Sequence, residues 1–161
     1  MHHSGEPHLL FSIRAASDAD AADIAALQEA AGTDAGRRDA PGPRSAGDIR
    51  AFLAGEKSGA FVAMVDGAAA GTVSLAIDGG VARLFGLAVD ARSRRHGIGG
   101  ALVAAVEREA RARAAFVVHV QGGMPAKTVA WFQSAGYDVD RSEPDVVLGE
   151  ALETIDLIKV L

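Results

Sequence analysis

Leu87-Ala88-Val89-Asp90-Ala91-Arg92-Ser93-Arg94-Arg95-His96-Gly97-Ile98-Gly99-Gly100 is the stretch on which the reading of this chain turns. It begins as the end of an apolar strand, crosses a polar, arginine-rich turn and ends on glycines that open a helix. Gly97 and Gly99 let the backbone approach a ligand closely and take angles that other residues resist. The first amides of a helix have no partner inside it, and the helix dipole adds positive character there. With Arg92, Arg94, Arg95 and His96 alongside, the turn is a cradle for a pyrophosphate. Two plainer readings compete. The glycines could serve only a tight strand-to-helix turn beside a solvated basic face. A dinucleotide fingerprint would need a third glycine where Leu102 stands, in a loop that here follows antiparallel strands.

The surrounding pattern is not a simple alternation of strands and helices. Ser12 to Ala16 reads as a first strand, and Ser17 with Asp20 three positions on reads as a helix start. Ile24, Leu27 and Ala31 follow at helical spacing. The Gly32–Arg44 segment, with its glycines and prolines, reads as a loop. Ser45 opens a second short helix carrying Ile49, Phe52 and Leu53. Ala60–Val65, Ala69–Ile77 and Val81–Val89 are then expected as three antiparallel strands, joined by turns at Asp66-Gly67 and Asp78-Gly79-Gly80.

Helix three follows the glycines with Ile98, Leu102, Ala105 and Val106 inward. Glu107 and Arg111 are four apart, the spacing of a solvated pair. Ala114–Val120 reads as a strand ended by Gly122-Gly123, and Lys127–Ala135 as a helix stopped by Gly136. Tyr137–Val139, Val146–Leu148 and Thr154–Val160 complete the β segments.

Composition sets the outer limits. The chain has 161 residues, 49% hydrophobic and 23% charged, which suits one globular domain with a real core. A net charge of -5 argues against nucleic acid as a partner. With no cysteine, thiolate chemistry and Cys-ligated zinc are excluded. No His-Glu-x-x-His spacing occurs, and a metal is not expected. No run approaches the roughly 18 apolar residues of a membrane span, and the start lacks the form of a secretory signal. Cytoplasmic residence is the expectation.

With the elements in this order, the sequence resembles the GNAT superfamily of N-acetyltransferases. The signature of that family is Arg/Gln-x-x-Gly-x-Gly/Ala at the start of a helix after a strand. Arg94-Arg95-His96-Gly97-Ile98-Gly99 matches it at each defined position. Leu87-Ala88-Val89-Asp90 stands where the family has Leu-x-Val and a short turn, and Gly136-Tyr137 where it usually has Gly-Phe. The likeness runs from Ile13-Arg14-Ala15 to Lys159-Val160-Leu161.

The resemblance implies an α/β acyl-CoA N-acyltransferase fold as a single domain over residues 1–161; residues 1–11 read, from the sequence itself, as a poorly ordered N-terminus. That fold is a mostly antiparallel mixed sheet of about six to seven strands with about four helices, strands four and five splayed. Acetyl-CoA is the implied co-substrate, held by Leu87, Ala88, Val89, Arg94, Arg95, His96, Gly97, Ile98, Gly99 and Gly100. The pantetheine arm would pair with main chain near Leu87 and Val89, and the pyrophosphate would rest on the amides of Arg95 to Gly100. An amine of unspecified identity would attack the acetyl group directly in a ternary complex. The implied partners are these two small molecules, with no nucleic acid and no membrane, and the family's last strands allow a homodimer.

Where the family commonly has Asn the chain has Pro125, and where it has the Tyr that protonates the leaving thiolate the chain has Phe132. Phenylalanine cannot donate a proton. Tyr137 reads as packing, and Ser134 lies on another helix face from Phe132. No glutamate falls inside the expected strands, where many members place a base. His119 reads either as a sheet histidine or as a base facing the acceptor, and Arg83 has a similar choice. Asp78 and Asp90 read as turn residues, Glu107 and Glu109 as solvated charges. Catalytic residues stay unassigned, and a non-catalytic acyl-CoA-binding or regulatory module on the same fold is the alternative.

Overall fold

A computed structural model of the chain describes residues 9–34, 42–147 and 150–161. Local signals start the first elements. Asp20 Oδ2 accepts the Ser17 amide at 2.8 Å ahead of α1 (Ala21–Asp34), and Ser45 Oγ accepts the Asp48 amide ahead of α2 (Ala46–Leu53). α1 runs past Gly32, and residues 35–41 of the expected loop lie outside the described residues. So do residues 1–8, while Leu9 and Phe11 pack against the core.

β1 (Ser12–Ala15) pairs antiparallel with β2 (Ser58–Val65), β2 with β3 (Ala68–Asp78), and β3 with β4 (Val81–Val89). The β2–β3 hairpin turns on Asp66 and Gly67, both at positive φ (50° and 80°), the conformation that suits a two-residue hairpin. β4 then runs parallel to β5 (Val117–Met124), as a crossover through α3 (Ile98–Ala112) requires. α4 (Ala126–Ser134) leads to the hairpin of β6 (Asp138–Val147) and β7 (Glu150–Val160). β7 inserts between β5 and β6, giving the order β1-β2-β3-β4-β5-β7-β6. The expected fold class therefore stands: among the described residues there are seven strands, mostly antiparallel, and four α-helices.

Several expected boundaries move. β5 begins three residues late, because Ala114 turns left-handed (φ 62°) to end α3, and it continues through Gly122-Gly123 because β7 pairs with both. The last β segments are two long strands. The expected segments leave out Asp140 to Pro144, but β6 runs through them at the sheet edge, where charges and proline are tolerated. Glu143, Glu150 and Glu153 consequently lie in strands, against the expectation that no glutamate would.

The two faces of the sheet bury different sets. Ile98, Leu102 and Val106 of α3 pack with Val73, Leu75, Leu84, Val118, Val120 and Leu157. On the opposite face Ile24 and Ile49, from α1 and α2, meet Ala60 and Val62.

Candidate functional site

β4 and β5 part company halfway. Their pairing runs from Val81 with Val117 to Leu84 with Val120, and there it stops. β4 nevertheless continues to Val89 and β5 to Met124. β5 keeps its other neighbour, β7, to the end, so the gap opens on one side only. A bulge in β4 shapes it. Thr72 of β3 pairs with Ala88 and Ser74 with Phe85, which pushes Gly86 and Leu87 out of register. Gly86 has φ 66°, and a side chain there would run into Gln28 Nε2 of α1 at 2.5 Å. Among the described residues, the edge of Phe85–Val89 that faces β5 thus has no strand against it. This is the expected splay of strands four and five.

The glycine turn sits at the end of that gap. Asp90 caps a 3-10 turn over Ala91–Ser93 by accepting the Arg92 amide at 3.3 Å, as a turn residue should. Arg94 Nε donates to the Val89 carbonyl at 3.2 Å, so its guanidinium folds back along the end of β4. Arg95 takes φ 67°, unusual for a side chain with a Cβ, and with His96 it is exposed. Gly97 is left-handed (φ 84°), and its carbonyl accepts the first α-helical bond, from Ala101 at 3.0 Å. The amides of Ile98, Gly99 and Gly100 precede that bond and have no acceptor within the helix. A Cβ on Gly97 or Gly100 would meet nothing within 4 Å. Open space lies over this helix start. A Cβ on Gly99 would lie 3.3 Å from the ring of Trp131, the only tryptophan, which sequence reasoning did not single out.

All the residues expected around a cofactor therefore gather at one corner. Leu87 and Val89 lie partly buried against the α3 side of the core, Ala88 is buried on the opposite side, and Arg94 to Gly100 form the adjoining turn. A groove of about 270 Å³ also opens on the α1 side of this corner, lined by Asp23, Leu27, Ala31, Val89, Asp90 and Arg94. It contains none of the turn's glycines.

The positions expected to depart from the family's pattern are packed or capped as follows. Phe132 is buried, edge-on between Trp131 at 5.0 Å and Tyr137 at 5.4 Å. Tyr137 is 1% exposed, which bears out its reading as packing. Its hydroxyl donates to Glu107 Oε2 at 3.0 Å, and burial first, then the Glu107 charge, pushes its pKa well above the ordinary phenol range. Glu107 itself is a correction. It is buried, and Lys159 Nζ of β7 reaches its Oε1 at 3.0 Å, so it is no solvated helix charge. Pro125 stands at the N-cap of α4, and Ser134 Oγ is exposed and donates to the Trp131 carbonyl at 2.6 Å. Among the described residues no three His, Asp or Glu side chains come together as metal ligands would. No helix of the described residues is long and apolar enough to cross a membrane.

No curated protein matches the sequence closely enough to count as a relative. Solved structures do share the fold. The ribosomal-protein-S18-alanine N-acetyltransferase of Escherichia coli superimposes with a TM-score of 0.75 at 18% identity, over 94% of each chain. The PaiA N-acetyltransferase of Thermoplasma acidophilum, solved with coenzyme A, gives 0.78 at 12% identity over 95% of this chain and 100% of its own. YncA of Salmonella typhimurium, solved with its cofactor acetyl-CoA, gives 0.78 at 20% identity over 94% of each. The model of the acetyltransferase (GNAT) family matches residues 25–137, which take in the β4 bulge, the gap and the glycine turn. A chain with that match over most of its length, folded in this way, belongs to the acetyltransferase (GNAT) family.

Proposed function

We propose that the protein is an acetyl-CoA-dependent N-acetyltransferase that moves the acetyl group to an amine by direct attack in a ternary complex. The observation that carries this reading is the gap between β4 and β5 with the open start of α3 at its end. Phosphates would rest on the amides of Arg95 to Gly100. The pantetheine arm would lie along Leu87 to Val89 as an added strand, because that edge has amides and carbonyls and no paired strand among the described residues. The acetyltransferases of T. acidophilum and S. typhimurium were solved with coenzyme A and acetyl-CoA, which supports the choice of co-substrate.

In the reaction the lone pair of a neutral amine forms the C–N bond, and the C–S bond breaks with its electrons left on sulfur. Phe132 cannot protonate that sulfur. A thiol is acidic enough to leave with water as its proton source, and general-acid help is worth only about 10²–10⁴-fold. Transfer would be slower, not abolished.

Calorimetry with coenzyme A, followed by thiol release from acetyl-CoA across a panel of small amines and peptide N-termini, tests the reading. No heat with coenzyme A would overturn it. Binding without turnover across the whole panel would leave the non-catalytic acyl-CoA module, for which the buried Phe132 is the supporting observation.

A further inference from the structure

The sheet face away from α3 is unevenly covered. α1 and α2 pack over β2, β3 and β4, and neither makes substantial contact with β5, β6 or β7 among the described residues. The side chains on that open half follow from register. His119 pairs with Arg83 of β4 and with Ile158 of β7, and Asp156 pairs with Gln121 of β5 and Arg141 of β6. Direct partners share a face. They alternate with Val118, Val120 and Leu157, which are buried against α3, so His119 and Asp156 point away from α3.

The two groups meet. His119 Nε2 stands 3.6 Å from Asp156 Oδ1, with the side chains 26% and 16% exposed. That Oδ1 atom is itself buried and has no hydrogen-bond partner among the described residues. Buried carboxylate oxygens normally have donors, and a slight rotation of the ring supplies one. Their place in the sheet gives the pair its meaning. The Arg83–His119 pairing lies one residue before Leu84–Val120, the last before the strands part. From Val89 back to Leu84, an extended arm beside β4 covers roughly 17 Å at the usual strand rise. A thioester carried that far arrives at the vertex of the gap, with His119 beside it on the far face. Phe85 and Phe52, edge-on at 5.3 Å, form an apolar wall there.

We propose that His119, oriented by Asp156 at the vertex of the β4–β5 gap, is the base that takes the proton from the acceptor amine. This rests on the acetyltransferase reading above. With Nε2 turned to Asp156, the ring receives the proton at Nδ1 as the amine nitrogen bonds to the acetyl carbon and the thiolate leaves. The Asp156 carboxylate stabilises the imidazolium so formed, which afterwards returns its proton to solvent or to the thiolate. Of the described side chains, the charged ones set against this pair by the sheet register are Arg83 from β4, and Asp138 and Arg141 from β6, and all are exposed.

The test compares wild type with His119→Gln and Asp156→Asn. Calorimetry with coenzyme A and thiol release from acetyl-CoA at pH 5–9 are the readouts. The acceptor is the fastest amine of the panel. His119→Gln is expected to bind coenzyme A as wild type does, keep its KM for acetyl-CoA and lose about 100-fold in kcat. Asp156→Asn should show a smaller loss of kcat with coenzyme binding intact. A His119→Gln kcat within about threefold of wild type overturns the assignment while the acetyltransferase reading stands. Wild type that binds no coenzyme A, or binds it and turns over no acceptor, removes that reading and this one together.

Discussion

At the residue scale, burial decides which charges matter. Glu107 and Arg111 have the spacing of an exposed helical pair, and nothing nearby in sequence says otherwise. Glu107 is inside because Tyr137 and Lys159, 30 and 52 residues later, close over it. Such a partner is invisible to local periodicity, whereas the burial of Tyr137 was legible from its place after Gly136. Glu107→Ala would strand a buried hydroxyl and a half-buried ammonium. Urea unfolding should show a loss of about 2–3 kcal/mol, with a smaller loss for Glu107→Gln, which keeps an acceptor for Tyr137.

Asp20 provides the pH counterpart. Two hydrogen bonds from the Arg14 guanidinium, at 2.7 and 2.8 Å, hold its carboxyl down at about 2. The folded value lies below the unfolded one, so the stability from this pair is fully present above about pH 4 and is lost as pH falls toward 2. Arg14 is 46% exposed, and solvent screening keeps the contribution to about 1 kcal/mol. Asp20→Asn should therefore unfold at lower urea than wild type at pH 7, and the two should converge as the pH approaches 2.

At the scale of elements, hairpins and helix starts were legible because their signals are local: Asp66-Gly67 for the turn, Ser45 for the cap, Gly97 for the start of α3. Strand extents were not. Gly122-Gly123 breaks a strand in isolation and survives in β5 because β7 bonds along it, and the polar run in β6 is a strand only because it lies at an edge. Close packing between elements was equally hidden. A Cβ on Gly71 of β3 would lie 3.0 Å from Ile98 Cγ2, 3.1 Å from Leu102 Cδ1 and 3.3 Å from the Ala88 carbonyl. Only a glycine lets the first turn of α3 sit this close to β3 and β4. Gly71→Ala should cost about 1–3 kcal/mol by overpacking. Because the displaced turn is the proposed phosphate cradle, its coenzyme A affinity measured by calorimetry should fall as well. Unchanged affinity in a destabilised variant would separate the packing of α3 from the cradle.

At the scale of the whole molecule, the gap exists only when distant parts of the chain are in place together. The bulge needs β3 against β4, and β5 stays straight past Gly122 because β7, from the end of the chain, pairs with it. Coenzyme A should therefore bind the folded chain and not the unfolded one, and binding should appear as stability. At a ligand concentration of 100 Kd the gain is about 2.7 kcal/mol, and for a chain of this length each kcal/mol raises Tm by roughly 2–4 °C. Scanning calorimetry should thus show Tm rising by about 5–11 °C at that concentration. Gly97→Ala separates cradle from scaffold. The new methyl meets no neighbour, but φ 84° costs an alanine about 1–2 kcal/mol and favours relaxation of the helix start. Its Tm without ligand should drop by a few degrees, and at the coenzyme concentration used for wild type its rise should be smaller. An equal rise in both proteins would mean that the coenzyme is held somewhere other than the start of α3.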